Sequence, residues 1–183
     1  MRRDLRVIRD ELHCDAVRIT GGVQDRLELT ARFAVEAGLE VWYSPFTDGL
    51  DRDGLMAFVL DGAERAERLR QIGASVVYLT GSEIAMVTDG FLPGRDLAER
   101  MALFTELMRI REAVPAARAA VRDFLAEAVP TVRERFAGPV GYRVAGQCSA
   151  LQGGGGDPRW EGAKPEQCSK PDGSAARCTD VRH

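Results

Sequence analysis

Glu83 closes the stretch SVVYLTGSE, in which five residues that favour an extended backbone (Val76 to Thr80) run into a glycine, a serine and a carboxylate. So short an apolar run, set between helical segments, reads as a buried parallel strand. Loops at the carboxyl ends of such strands carry the chemistry of α/β architectures. A carboxyl group there can give or take a proton, and Thr80 and Ser82 beside it offer hydroxyls to a ligand. Asp89 and Phe91 lie on the long connection above. In AVRIT (16–20), Val17 and Ile19 point one way and Arg18 and Thr20 the other. A charge in mid-strand is costly unless paired or wetted, so Arg18 is expected either to face inward toward a carboxylate such as Glu83 or to mark an exposed edge. Trp42, Tyr43, Ser44 and Phe46 crowd the end of a second strand, where an aromatic face with polar edges could stack on a sugar ring. The competing reading of Trp42 is ordinary core.

Other chemistries find little footing. Gly21-Gly22 follows a strand, but the spacing of a dinucleotide loop and the GK[ST] ending of a triphosphate loop are both absent, so a simple turn is expected. His13 and His183 are the only histidines, and Cys168 and Cys178 lack a paired CxxC knuckle, so no metal and no cofactor are expected. No serine or cysteine has a recognisable histidine-based partner for triad chemistry.

These groups must be positioned by the elements around them. Periodicity predicts helices over 3–12, 24–37, 53–72, 96–111 and 114–136, with Gly38 and Gly73 closing the second and third and Pro130 breaking or kinking the last. Strands are expected at 16–20, 39–46, 76–80 and 139–144. Alternation of this kind argues for βα units around a parallel sheet. A closed (β/α)₈ barrel takes about 250 residues; four strands make either an incomplete TIM barrel or a small open α/β domain.

Composition divides the chain near Ala145. Residues 1–145 hold 20 arginines and no lysine, whereas both lysines, three of four cysteines and 7 of 19 glycines fall in 146–183. That tail is too poor in apolar residues for a core and is expected to be irregular, disordered or non-native. An altered reading frame or a truncation in a GC-rich gene would produce such a change. The net charge of -3 gives no reason to expect nucleic acid, and no run approaches the ~18 apolar residues of a membrane span. Without an export signal, a cytoplasmic, reduced protein is the expectation.

VRITGG, GLEVWYSPF and VVYLTGSEI together resemble strands two, three and four of the large retaining glycoside hydrolase superfamily built on the TIM barrel. More narrowly, they resemble an actinobacterial group of barrel proteins labelled abortive infection proteins. The resemblance covers roughly residues 1–145 and rests on the order and spacing of its motifs. It implies a general acid/base role for Glu83 at the end of strand four, with Ser82 where an asparagine is commonest, and a place near the sugar for Arg18. The nucleophile in those barrels comes from strand seven. Retaining hydrolysis needs two carboxyl groups about 5–5.5 Å apart, and Glu161 and Glu166 have no strand to hold them. The expectation is a carbohydrate-binding, glycosidase-like fragment, inactive alone, whose open sheet edges promote self-association. The alternative is a non-enzymatic interaction or phage-defence protein with a small open α/β domain.

Overall fold

The computed structural model describes residues 1–144, 147–150 and 178–182. The chain begins with helix α1 (Arg2–Asp10) and then alternates: β1 (Ala16–Gly21), α2 (Gln24–Glu36), β2 (Glu40–Pro45), α3 (Arg52–Gln71) and β3 (Val76–Ser82). Two short helices follow, α4 (Ile84–Val87) and α5 (Leu97–Ala102), then a 3-10 turn at Leu103–Thr105. The long α6 (Leu107–Arg135) leads into β4 (Val140–Val144), and two further strands are β5 (Gln147–Ala150) and β6 (Cys178–Arg182).

Among the described residues the strands form one open sheet in the order β5-β4-β3-β2-β1-β6. Neighbours from β1 to β4 are parallel, as the alternation predicts. Each step from β1 to β4 moves the same way across the sheet, and the uniform hand of βα crossovers then requires the connecting helices to share one face. They do. Buried residues of α2, α3 and α6, such as Leu27, Val59 and Phe124, pack with Val17, Ile19, Val41, Tyr43, Val76 and Tyr78 in one cluster. The opposite face carries a separate cluster made of strand residues, Ala16, Trp42, Val77 and Leu79.

Local chemistry explains the ends of the elements. Gly38 (φ 75°) and Gly73 (φ 91°) adopt the left-handed conformation that closes α2 and α3, as their places after helical periods predict. Asp51 caps α3 by accepting from Gly54 N at 2.8 Å, and Asp96 caps α5 by accepting from Glu99 N at 2.9 Å. The helices expected at 96–111 and 114–136 are divided differently, because the break falls at Glu106. α6 runs unbroken through Pro115 and Pro130, so the interruption considered at Pro130 does not occur. Both prolines are exposed, and the buried stripe Ala117, Val121, Phe124, Leu125, Ala128, Val132 ties the helix to the body where the lost N–H bonds would loosen it.

The four parallel strands do not end in bare edges. β5 pairs antiparallel with β4, and β6 pairs parallel with β1. Both lie in the stretch read from sequence as an irregular tail. Residues 145–146, 151–177 and 183 lie outside the described residues, and with them most of the expectation of a disordered or non-native 146–183. No helix among the described residues is long and apolar enough to cross a membrane.

Candidate functional site

The carboxyl edge of the parallel strands is where the chain departs most from regular backbone. β3 and β4 pair from Tyr78 to Leu79, shift register, and resume at Ser82 opposite Arg143. Gly81 sits within the shift at φ 154°. A Cβ there would lie 2.8 Å from Ile84 Cδ1, so glycine is needed both for its backbone and for its missing side chain. Two residues on, Glu83 adopts the left-handed conformation (φ 53°, ψ 31°) as the cap of α4. The only other non-glycine with positive φ among the described residues is His13. Holding a glutamate in that region costs free energy that the surrounding packing must supply.

That packing can be named. Ile84 is buried in the helix-side cluster, and the buried Tyr142 hydroxyl lies against the Ile84 backbone N–H. Burial pushes the Tyr142 phenol up to about 12; the Ile84 N–H opposes the shift and the nearby Glu83 carboxylate adds to it. Beyond α4, Arg100 fastens the connection. Its guanidinium, 1% exposed, donates to Met86 O at 2.6 Å and to Asp89 Oδ1 at 2.7 Å, with longer bonds to Gly94 O and Val87 O. One side chain therefore gathers the end of α4 and the loop after it, and so holds the turn that carries Glu83. No hydrogen bond or ion pair of the Glu83 carboxylate is found among the described residues.

Arg18, Trp42 and Ser44 come together on the helix-free face. Arg18 is in register with Trp42, and Thr20 with Ser44 one pleat nearer the carboxyl edge. Arg18 is buried on this face. Its backbone is in register with Asp180 of β6. Trp42 is 6% exposed, and its indole N–H donates to Glu40 Oε1 at 2.8 Å, toward the amino end of β2. Glu40 also accepts from Ser75 Oγ at 2.8 Å. Trp42 is thus anchored away from the edge at which a stacking platform was expected. Continuing the β2–β3 register brings Leu79 level with Ser44, so Ser82 stands roughly 10 Å further along. Two levels result: a buried one at Arg18, Trp42, Thr20 and Ser44, and a rim at Ser82 and Glu83.

Sequence reasoning did not find Arg100, Tyr142 or the significance of Thr20. Arg100 had a weak signal in its position, since an arginine inside a short helix after a long loop is a natural clamp. Thr20 Oγ1 and Ser44 Oγ are both shielded from solvent and have no hydrogen-bond partner among the described residues. No cluster of three or more potential metal-ligating side chains occurs among the described residues. Comparison with protein-family models and with curated protein sequences finds no match to this chain.

Proposed function

We propose that this chain is a glycoside-hydrolase-like α/β module, related to a barrel fragment, that binds carbohydrate at the carboxyl edge of its parallel strands. Glu83 holds the general acid/base position. The observation that carries this reading is the left-handed backbone of Glu83 at the exit of β3, with a carboxylate left unbonded among the described residues. Strain of that kind at a non-glycine residue is commonly kept where a side chain must be aimed. The one-way order of β1 to β4, with helices on a single face, is also the order of a barrel segment. In the reaction, Glu83 would protonate the leaving glycosidic oxygen. Completing double displacement takes a second carboxylate about 5–5.5 Å away. Asp89, the next acidic residue along the chain, is committed to Arg100. The chain therefore binds sugar without turning glycosides over.

Titration with neutral mono- and disaccharides, followed by amide chemical shifts, tests the reading together with an aryl glycoside panel. Expected are saturable shifts that weaken in Glu83→Gln, and no Glu83-dependent hydrolysis. A turnover abolished by Glu83→Gln would overturn the claim of inactivity. A second reading, a small open α/β interaction domain, is favoured by the pairing of β5 and β6 along both sides of the parallel strands. Absence of sugar shifts in a fully folded sample would select it.

A further inference from the structure

We infer that the junction of α5 and α6 is a docking surface for a second copy of this chain, met about a two-fold axis. The inference is independent of the carbohydrate reading. Nine large hydrophobic side chains are exposed among the described residues, and four of them fall within eight residues at this junction. They are Met101, Phe104, Leu107 and Met108, each 51–68% exposed. Single exposed hydrophobics are ordinary, whereas such a concentration marks an interaction site.

α6 shows why the junction lacks cover. Its buried stripe runs through Ala117, Val121, Phe124, Leu125, Ala128 and Val132. The same helical spacing continues toward the amino end through Val114 and Ile110 to Leu107. Burial falls along that line, since Val114 and Ile110 are half-buried and Leu107 is exposed. The helix therefore carries its apolar stripe about two turns past the packing that its own body provides.

Charge selects the occupant. Glu106 holds Arg109 at 2.9 Å, and Glu99 holds Arg95. Arg111 and Glu112 remain, both exposed and opposite in sign, and neither makes an ion pair among the described residues. A surface so balanced has no net charge to draw a strongly acidic or basic partner. It suits an identical copy. A two-fold axis presents the same patch on both sides, so each Arg111 can meet the other copy's Glu112. The four apolar side chains offer roughly 500 Å² per copy, taking ~200 Å² for each large side chain. A standard interface takes ~800 Å² from each partner, so the dimer is a weak one.

The test is sedimentation velocity of the full chain between ~1 and ~500 μM. Leu107→Glu, Met108→Glu and Phe104→Ser are compared with the parent, and Leu29→Glu, exposed on α2, serves as the control. Expected is a reversible monomer–dimer equilibrium whose dissociation constant rises at least tenfold in the three junction variants and stays unchanged in the control. Thermal midpoints taken where the parent is monomeric should not move, because none of these side chains is buried. Should a charge on α6 disturb the helix, Phe104→Ser, which lies in the 3-10 turn, carries the test. A parent that stays monomeric across the whole range would overturn the inference. Dimerisation that survives all three junction variants would overturn it too, and would move the contact to the sheet edges. Equal weakening by Leu29→Glu would mean unspecific adhesion and would also overturn it.

Discussion

The two faces of the sheet differ in how completely they bond their buried hydroxyls. On the helix-covered face every buried tyrosine is provided for: Tyr78 OH donates to Val59 O at 2.6 Å, and Tyr43 OH donates to Gln24 Oε1 at 3.2 Å. Gln24 in turn donates to Phe58 O at 2.9 Å, so the network is closed between α2, α3 and the strands. On the other face, the Thr20 and Ser44 hydroxyls are buried with no partner among the described residues. The same pleat produces both faces, and the strands alternate between them residue by residue. What differs is the use. The helix-covered face closes its tyrosine hydroxyls into a network, whereas the other face bonds Trp42 through Glu40 and leaves the Thr20 and Ser44 hydroxyls without a partner among the described residues.

The largest expected effect tests the bonded side of that contrast at the loop after β3. Arg100→Met should cost about 3 kcal/mol in chemical denaturation, because it leaves the Met86, Val87 and Gly94 carbonyls without their shared donor. It should also weaken any ligand response that depends on Glu83. A cost under about 0.5 kcal/mol would show that the clamp is dispensable.

A matched pair compares the faces directly. Val17→Ala, under the helices and 0% exposed, should cost about 2–3 kcal/mol, and Val77→Ala, in the small cluster opposite, about 1 kcal/mol. Equal costs would mean that both faces are packed alike and would remove the distinction. The polar groups sharpen it further. Tyr78→Phe should cost about 1 kcal/mol through the lost bond to Val59 O. Ser44→Ala should cost nothing, since its hydroxyl has no hydrogen-bond partner among the described residues.

The smallest effect is electrostatic and lies at the surface of the helical layer. Hydrogen bonds from Arg70, with the Ala137 N–H assisting against a modest burial penalty, pull Glu67 down to about 2. A depressed carboxylate contributes stability that is present above its unfolded range near pH ~4.3 and is lost as pH falls toward the folded value. Glu67→Gln should therefore lower stability by about 0.5 kcal/mol at neutral pH, as expected of a surface pair. The difference from the parent should shrink between pH 4.5 and 2. A difference that stays constant over that range would assign the effect to packing.

Much of the scaffold was legible because it depends on local pattern. Strands at 16–20, 76–80 and 139–144 fall where β-branched runs occur, and Gly38 and Gly73 stop helices where the chain needs a left-handed residue. The alternation also carried the parallel pairing of β1 to β4. Of the candidate site, only the placement of two residues was legible. Arg18 facing away from Val17 follows from alternation, and Glu83 at a strand exit follows from the end of an apolar run. Its geometry was not legible. The left-handed turn at Glu83 depends on Ile84 and Tyr142, and the loop beyond it on Arg100.

By itself, the sequence determined the order of the elements from α1 to β3, the two sides of β1, and the carboxylate at the end of β3. Those follow from propensity and from periods of two and 3.6, which act between residues close in the chain. The tertiary structure alone decided that Trp42 turns toward Glu40 and that Thr20 meets Ser44. It alone brought Cys178–Arg182 beside β1. The meeting of Thr20 with Ser44 and of β6 with β1 joins groups far apart in sequence, where no local preference acts and only the closing of backbone hydrogen bonds and the exclusion of water choose the partner.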